Sequence, residues 1–282
     1  MNLKFEDITF IIVTYQSENV LYECLDSLPK KCKKIIVDNS NHINLEKDLN
    51  LKYDNIEVIM SKNVGMGAGN NIGLGLCKTN FAYVLNPDTK MNEDTLFILL
   101  KELENVKDFT LASPLNSDLK CPNYKKIFKN ENIHKNILSV SSIDGFSMLI
   151  NLKKFNDPNL FDENYFLYLE NDDLCLRVKK NKEKIYIIKN SFINHIGGIS
   201  KNKDLEYLRN WHWMWSKFYF NKKHYGYLKA LYAITLNLLS SILKFIFFTL
   251  IFNSHKKKVN YMRMSGILNS IFGKKSWLRI KN

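Results

Sequence analysis

The chain has 282 residues, and 45% of them are hydrophobic, which is enough to bury the core of one α/β domain with a smaller appendage and argues against a mostly disordered protein. Its five cysteines are widely spaced and include no CxxC pair. This spacing predicts free thiols in a reducing compartment and argues against a disulfide framework or a zinc site. No signal peptide is expected, because Glu6 and Asp7 precede a short apolar run that stops at Val13.

The net charge of +13 is unevenly distributed along the chain. Residues 1–200 contain 25 Lys and Arg against 26 Asp and Glu, whereas residues 201–282 contain 16 against 2. A nearly neutral body therefore precedes a strongly basic tail. Such a tail predicts contact with a polyanionic surface, and we expect membrane lipid in preference to nucleic acid.

Over the first 115 residues, short runs of β-branched residues alternate with helical stretches. The predicted strands are Thr9–Val13, Lys34–Val37, Ile56–Met60, Phe81–Leu85 and Thr110–Ala112. The predicted helices are Asn19–Leu28, Ala68–Cys77 and Asp94–Glu104. Strand–helix alternation with uniformly apolar strands predicts a parallel, doubly wound α/β sheet, and ligands of such sheets bind beyond the carboxyl ends of the strands.

The second half of the chain is less regular. Residues 116–140 are polar and aperiodic, which predicts a loop. The segment Ser141–Ile150 is predicted to form a strand pair, Glu170–Lys180 a helix, and Lys184–Ile188 a strand. After about residue 205 the composition changes, which predicts an α/β domain over 1–205 and a C-terminal helical, membrane-associated region over 206–282.

Asp38 ends the apolar run Ile35–Val37 and is followed by Asn39 and Ser40. A carboxylate at the end of a buried strand can accept hydrogen bonds from a ribose or a base. Asp, Asn and Ser are also favoured in turns and at helix starts, so a purely structural role is the alternative.

The segment Asn63–Gly73 is rich in glycine and asparagine. Glycine lets the backbone approach a ligand closely, and the N-terminus of a helix favours phosphate. The spacing matches neither the dinucleotide-binding fingerprint after the first strand nor a P-loop. A tight strand-to-helix connection explains the segment equally well.

The triplet Asn86-Pro87-Asp88 follows the predicted strand Phe81–Leu85. A carboxylate in this position can hold a hard divalent cation, which would neutralise a leaving diphosphate. A β-turn built by Pro and Asp is the alternative.

Three acids, Glu170, Asp172 and Asp173, lie within four positions after an aromatic run. A carboxylate here can serve as a general base. The alternative is a set of acids in the first turn of a helix, where the macrodipole favours them. The spacing of Asp173 and Arg177 predicts a helical ion pair.

His195 stands close to Gly197 and Gly198. A lone histidine beside glycines is usually a loop residue. It gains functional interest only as a metal ligand or a phosphate contact.

Taken in order, these motifs resemble those of glycosyltransferase family 2, especially its bacterial rhamnosyltransferase-like branch. The resemblance covers about residues 8–200. The matching segments are Ile11–Tyr15 with Cys24–Leu28, Asp38–Ser40, Asn63–Gly65 with Asn70–Gly73, Asn86–Asp88, Phe161–Glu163 with Glu170–Arg177, and His195–Ser200. Six motifs in this order are far more specific than any one of them.

The resemblance implies a GT-A fold, with a mostly parallel Rossmann-like sheet and helices on both faces. It also implies a divalent cation, Mg²⁺ or Mn²⁺, and inversion at the anomeric carbon. Asp38 would contact the base of the donor, and Asp88 with His195 would hold the metal and the diphosphate. The implied donor-binding residues are Thr14, Tyr15, Asp38, Asn63, Gly65, Asn70, Asn86 and Asp88.

Two departures from the family pattern concern the chemistry. The first acid of the metal-binding DxD motif is replaced by Asn86, and the usual position of the catalytic base holds Asn171, which cannot accept a proton. Glu170 is therefore the first candidate for the base and Asp172 the second, while Asp173 is expected to be structural.

The expected reaction moves a sugar, such as rhamnose or another deoxysugar, from a dTDP- or UDP-linked donor to a hydroxyl of a saccharide or lipid-linked acceptor. The expected product is a bacterial cell-surface polysaccharide such as lipopolysaccharide or capsule. Three alternatives are open. A sugar-1-phosphate nucleotidyltransferase should carry a basic glycine-rich loop after the first strand, and a nucleic-acid binder would leave the acidic motif unexplained. A catalytically impaired glycosyltransferase-like protein is the third, because of Asn171.

The apolar stretch Ala230–Phe252 is 23 residues long, which is enough to span a bilayer. Lys244 inside the stretch and the Lys-, Trp- and Tyr-rich flanks favour a helix that lies in or against the membrane surface. We therefore expect a peripheral or monotopic enzyme at the cytoplasmic face of the inner membrane. A helix hairpin buried in the catalytic domain is the alternative.

Overall fold

A computed structural model of the chain describes residues 3–106, 108–126, 132–197 and 203–279. The chain divides into two compact units. The first comprises Met1–Asp162 and Asn171–Gly197, and the second comprises Glu163–Glu170 and Gly198–Asn282.

The first unit is an α/β structure built around one large sheet. Its strands are β1 Ile8–Thr14, β2 Lys33–Asp38, β3 Ile56–Met60, β4 Phe81–Leu85, β5 Thr89–Met91, β6 Leu111–Asn116, β7 Tyr124–Lys126, β8 Asn132–His134, β9 Ile137–Ile143, β10 Ser147–Asn151 and β11 Ile185–His195. The helices are α1 Glu18–Asp26, α2 Leu45–Lys52, α3 Met66–Leu76, α4 Thr95–Leu103 and α5 Glu170–Lys180. Single 3₁₀ turns occur at Phe5–Asp7 and Leu152–Lys154.

The strand order of the sheet is β3-β2-β1-β4-β10-β6-β11-β9-β7, with β5 added beside β11 and β8 beside β9. The four strands from β3 to β4 are parallel. Strand β10 then runs antiparallel between β4 and β6, and β6 and β11 are again parallel. The predicted parallel sheet is thus confirmed for the first four strands, and the sheet is mixed beyond them.

The sheet is covered on both faces, which explains why its first strands are uniformly apolar. Every residue of β1 and β4 is buried. Phe10 and Ile12 pack in one buried cluster, and Ile11 between them packs in another. This alternation follows from the two-residue period of a strand.

Three local features differ from the sequence-based expectations. Helix α2 was not predicted, because only Leu45 and Leu49 are buried on it and two apolar positions make a weak periodic signal. The segment 116–140 contains β7 and β8, two three-residue strands that pair with β9. Strand β11 continues past Ile188 through an irregularity in its pairing with β6 and ends at His195.

The second unit contains three helices, α6 Lys203–Tyr225, α7 Tyr227–Leu250 and α8 Ser254–Ile271. Gly226 turns the chain between α6 and α7 with a φ of 91°, a conformation that favours glycine. The helices share a core of Met214, Phe218, Ala230, Ile234 and Ile267. 

The close approach of α6 and α8 depends on Gly266. A Cβ at Gly266 would lie 2.3 Å from the carbonyl oxygen of Trp211. No side chain fits in that space, so glycine is required for the two helices to pack at this distance.

The segment 163–170 belongs to the second unit because its aromatic side chains pack on α6. Tyr165 makes an edge contact with Tyr219 at a ring-centroid distance of 4.9 Å, and Tyr168 contacts Trp213 at 5.4 Å. The predicted boundary between residues 205 and 206 falls inside α6.

Among the described residues, α7 is the one helix long and apolar enough to cross a membrane. Its 24 residues include a window with a mean hydropathy of 1.8, and only 11% of that window is buried. This low burial sets it apart from the core helix of a soluble protein.

Candidate active site

The predicted donor residues follow strands whose carboxyl ends meet at one edge of the sheet. β1 ends at Thr14 and β2 at Asp38, and these two residues are direct partners in the parallel register. The backbone N–H of Asn39 donates to the carbonyl of Thr14 at 2.9 Å. Asn86 follows β4, which pairs with the other side of β1. The strand order therefore brings Thr14, Asp38 and Asn86 to the same edge, as expected for a ligand site of an α/β sheet.

Asp38 is fully buried, and its carboxylate organises the turn that follows β2. One oxygen accepts the backbone N–H of Ser40 at 2.9 Å, and the other accepts the backbone N–H of His42 at 2.6 Å. These bonds give Asp38 the turn-forming role that was the structural alternative. Its contact with the base of a donor remains a prediction.

The glycine-rich segment forms the start of α3 and packs tightly on β1. Gly65 has a φ of 95° at the N-cap of this helix. A Cβ at Gly69 would lie 2.8 Å from Cγ1 of Val13, and one at Gly73 would lie 2.4 Å from Cγ2 of Ile11. Gly69 and Gly73 thus serve helix–strand packing, which was the alternative interpretation of the segment.

Two buried amide oxygens beside this loop have no hydrogen-bond partner in the described part of the chain. They are Oδ1 of Asn39 and Oδ1 of Asn70. Asn39 is anchored by its other amide atom, because Nδ2 donates to the carbonyl of Gly65 at 3.1 Å. Leaving a buried acceptor unpaired costs about 1–3 kcal/mol, so both oxygens are suited to a polar ligand. The predicted Tyr15 and Asn63 lie in half-buried loop positions next to β1 and between β3 and α3.

Asp88 and His195 are brought together by the short strand β5. Thr89 of β5 pairs with His195 at the end of β11, and the N–H of Ile196 donates to the carbonyl of Asp88 at 3.1 Å. The Oδ1 atom of Asp88 lies 3.3 Å from Nε2 of His195. The imidazole is held flat against Phe146, with ring centroids 4.1 Å apart.

This pair fits a divalent cation that takes its remaining ligands from elsewhere. Carboxylate oxygen and imidazole nitrogen bind such metals at about 2.0–2.2 Å, so two adjacent ligands of one ion lie about 3 Å apart. The described residues contain no group of three His, Cys, Asp or Glu side chains arranged to hold a metal. A diphosphate and water would therefore have to complete the coordination.

Asp144 is a titratable residue of this region that the sequence interpretation missed. Burial raises the pKa of its carboxyl, and the nearby Asp172 raises it further, while Lys125 and His195 act in the opposite direction. Asp144 comes directly after β9, and Asp38 is the last residue of β2. The rule that singles out acids after buried strands could therefore have found it.

Asp172 is ion-paired and only partly accessible. Its Oδ1 accepts from Nζ of Lys125 at 2.7 Å, and its side chain is 15% exposed. Asp144, Asp172, Lys125 and His195 thus form one group of interacting charges in the first unit.

The neighbours of Asp172 in the acidic motif have structural contacts. Asn171 donates from Nδ2 to the carbonyl of Ile143 at 3.0 Å. Asp173 is fully buried and accepts from Nε of Arg177 at 2.8 Å, which is the ion pair that the spacing predicted. Arg177 also donates to the carbonyl of Leu160.

Glu170, the first candidate for the base, opens α5 and belongs to the segment 163–170 of the second unit. It is half-buried. Gly198 and Ser200 of the predicted closing motif lie outside the described residues.

A surface cavity of about 280 Å³ opens elsewhere on the first unit. Its lining includes Thr110 and Glu183, which precede β6 and β11, so it lies at the amino ends of these parallel strands. The cations at its rim are already paired, Lys154 with Asp108 and Arg177 with Asp173. It shares no residue with the predicted donor site.

Comparison with known sequences matches residues 9–158 to the model of glycosyl transferase family 2. The chain is 28% identical over 199 residues to the rhamnosyltransferase WbbL of Escherichia coli K12, covering 60% of this chain and 75% of that protein. It is 25% identical over 199 residues to the low-salt glycan biosynthesis hexosyltransferase Agl10 of Haloferax volcanii, covering 64% of each chain.

Comparison with solved structures shows the same fold in a mannosyltransferase from Pyrobaculum calidifontis, solved in complex with GDP-Man and Mn²⁺. The TM-score is 0.58 at 10% identity, and the match covers 97% of this chain and 91% of that one. The predicted GT-A-type α/β architecture, with additional C-terminal helices, is thereby confirmed.

Proposed function

Because this chain belongs to glycosyl transferase family 2 and is a nucleotide-sugar glycosyltransferase, we propose that it transfers a sugar with inversion to a hydroxyl of a saccharide or lipid-linked acceptor. The meeting of Asp88 and His195 at the carboxyl edge of the sheet carries this proposal. A dTDP-linked deoxysugar such as rhamnose is the first donor to test, because the E. coli relative is a rhamnosyltransferase. A UDP-sugar is the second.

In this proposal the donor lies along the edge formed by β2, β1 and β4. The nucleoside part of the site is lined by Thr14, Tyr15 and Asp38. The sugar and diphosphate part is lined by Asn63, Gly65, Asn70 and Asn86. The unpaired oxygens of Asn39 and Asn70 support this placement, because a bound ligand with N–H or O–H donors would satisfy them.

Asp88 and His195 would hold the divalent cation, Mg²⁺ or Mn²⁺. When bound, the cation supplies positive charge to the diphosphate as it leaves. The stacking of His195 on Phe146 fixes the imidazole plane and so presents Nε2 toward Asp88. The Mn²⁺ present in the Pyrobaculum structure is consistent with this assignment.

A base must accept the proton of the attacking hydroxyl, and Asn171 cannot serve as that base. We assign this role to Glu170 first and to Asp172 second. Lys125 holds the Asp172 carboxyl in place through an ion pair. A catalytically impaired glycosyltransferase-like protein is the second candidate function, and the amide at position 171 is the observation that favours it.

We place the enzyme at the cytoplasmic face of a bacterial inner membrane, where it would act in the synthesis of a cell-surface polysaccharide. The basic C-terminal region and the exposed apolar helix α7 support contact with an anionic lipid surface.

A thermal-shift panel of nucleoside diphosphates, each with and without Mn²⁺ or Mg²⁺, tests the donor and cation assignments. The matching nucleotide in excess should stabilise the protein by about 2–4 kcal/mol, and only with the cation present. A transfer assay with the matching nucleotide-sugar then tests the activity. Nucleotide binding with no transfer to any hydroxyl acceptor would favour the impaired enzyme, and no binding at all would contradict the proposed site.

A further inference from the structure

Helix α7 carries a continuous apolar stripe on the side that faces away from α6 and α8. We call the following residues the outer stripe: Leu228, Tyr232, Leu236, Leu239, Leu243 and Leu250. Each is between 51% and 86% exposed. They recur at intervals of three, four and seven residues, so they lie on one face along nearly the whole helix, which is about 36 Å long.

The opposite face of α7 is occupied by the second unit itself. Ala230, Ile234 and Ser241 are buried there. Ala230 and Ile234 pack in a cluster with residues of α6 and α8. The second unit thus has its own core without the outer stripe. The outer stripe is an exposed surface of large apolar side chains, and such surfaces mark interaction sites.

Two cations contact the middle of α7 on its inner side. Lys217 of α6 donates to Oδ1 of Asn237 at 2.7 Å, and Arg263 of α8 donates to Oγ of Ser241 at 3.3 Å. If α7 crossed a bilayer, these two side chains would be carried to its centre, at a cost of about 2.5–3.5 kcal/mol each. The three-helix packing therefore disfavours a transmembrane α7.

Lysines border the outer stripe and are placed to meet anionic headgroups. Lys229 and Lys244 are exposed, and each follows a stripe residue by one position, which puts it about 100° around the helix from that residue. At the end of α7, Lys256 lies 5.3 Å from the ring centroid of Phe248. An apolar face edged by lysines is the pattern of a helix that lies in a membrane interface.

A second copy of the chain is a poorer occupant of this face. Residues 201–282 carry 16 Lys and Arg against 2 Asp and Glu, so two such regions brought face to face would repel each other. An anionic bilayer supplies both the apolar phase for the stripe and the negative charge for the lysines.

We propose that α7 lies flat in the surface of an anionic bilayer, with the outer stripe in the boundary between headgroups and acyl chains. This inference rests on the membrane location in the proposed function, and it defines the surface and its orientation. Binding in this orientation buries apolar area without moving Lys217 or Arg263 into hydrocarbon.

The test is flotation of the full-length protein with vesicles of phosphatidylcholine alone and of phosphatidylcholine containing about one third phosphatidylglycerol. We expect binding to the anionic vesicles, release by high salt with mild detergent, and release by alkaline carbonate. The double variant Leu236→Gln/Leu243→Gln should bind about tenfold more weakly or worse, because two apolar anchors are lost. Both leucines are exposed, so its folding should be unchanged.

The matched control is Leu51→Gln, which changes an equally exposed leucine on α2 of the first unit and should bind vesicles normally. Unchanged binding of the double variant would overturn the proposal. Resistance to alkaline carbonate would indicate a span, and a dimer that the double variant dissociates would indicate a second copy. Nucleotide binding should be the same in all three proteins, so failure of the proposed enzyme activity and failure of docking are distinguishable.

Discussion

Strand β4 and helix α7 are both strongly apolar, yet they use their apolar residues in opposite ways. All five residues of β4 are buried in the first unit. On α7 only Ala230, Ile234 and Ser241 are buried, and the leucines of the outer stripe are exposed. In β4 the apolar side chains build a core against water. On α7 only a few residues contribute to the core of the second unit, and the large side chains of the outer stripe remain exposed for another apolar phase.

The two units also differ in where their polar side chains lie. In the first unit the acids Asp38, Asp88 and Asp144 lie at or near the ends of strands, and we propose that Asp38 and Asp88 serve the donor and cation site. In the second unit Asn237 and Ser241 face inward and bind the cations of neighbouring helices. The comparison shows that the burial of an apolar segment indicates its role better than its hydropathy does. The four predictions that follow test each side of this contrast, beginning with the largest effect.

Asp88→Ala should reduce transfer by about 10³-fold or more, because it removes the proposed ligand of the cation that would stabilise the leaving diphosphate. Cation-dependent nucleotide binding should be lost, and the thermal stability without ligand should be nearly unchanged. The control is Asp48→Ala on the exposed side of α2, which should behave as wild type. Normal turnover of Asp88→Ala, or full activity in excess chelator, would exclude the cation-dependent mechanism.

Glu170→Gln should lower turnover by about 10²–10⁴-fold with donor binding retained, because shape is preserved and the proton acceptor is removed. Single-turnover transfer and nucleotide titration measure the two effects separately. Near-normal turnover here, combined with a collapse in Asp172→Asn, would move the role to Asp172. Full activity of both variants would leave neither residue as the base.

Acid should destabilise the second unit through His212. Its Nε2 donates to the carbonyl of Leu278 at 2.9 Å, and its Nδ1 accepts from Oγ of Ser276 at 2.8 Å. Burial lowers the pKa of His212 to about 3, with a smaller contribution from Arg279. In the unfolded chain His212 therefore binds a proton near pH 6.5, whereas in the folded chain His212 stays neutral at that pH.

The free energy of unfolding should therefore fall by about 1.4 kcal/mol per pH unit as the pH drops from about 6.5 toward 3. Denaturant unfolding across this range measures the slope. His212→Gln should lose this component, whereas His42→Gln, an exposed histidine of the first unit, should keep it. Equal slopes in wild type and His212→Gln would contradict the assignment.

The smallest effect is expected at Asp144. Its pKa is raised in the folded state, so its ionisation opposes folding as the pH rises through the unfolded value and beyond. Asp144→Asn should therefore be at least as stable as wild type at neutral pH, and this advantage should vanish in acid, where both forms are uncharged. Denaturation at neutral and acidic pH measures it, and a variant less stable than wild type at neutral pH would contradict the electrostatic assignment.

Much of the catalytic fold could be predicted from the sequence because its central strands are buried on both faces. Strands Ile56–Met60 and Phe81–Leu85 and helix Glu170–Lys180 have the predicted bounds. The edge strands β7 and β8 could not be predicted, since their pairing with β9 is a tertiary effect and their own residues are polar.

The site was predictable in its residue types and less so in its contacts. The residue patterns indicated Asp88 and His195 separately, and the family resemblance implied that they act together. The register of β5 on β11 shows that they meet. The sequence distinguished Asp172, a candidate base, from Asp173, which was expected to be structural and paired with Arg177. The helix buries Asp173 with Arg177, but the ion pair of Asp172 with Lys125 was not predicted. Asp144 escaped notice because a single acid in a turn is common.

The pairing of β5 with β11 also constrains how the protein is made. The strand β5 has three residues, and its partner lies about a hundred residues later in the chain. Closing so long a loop costs conformational entropy, and the few hydrogen bonds of a three-residue strand offset only part of this cost. We therefore expect β11 to pair with β6 before β5 pairs with β11. A nascent chain that has not yet produced β11 can form the parallel strands β1 to β4 with Asp88 at their edge, but it has no histidine to meet it. The Asp88–His195 pair therefore forms only after ribosomal synthesis has passed residue 195.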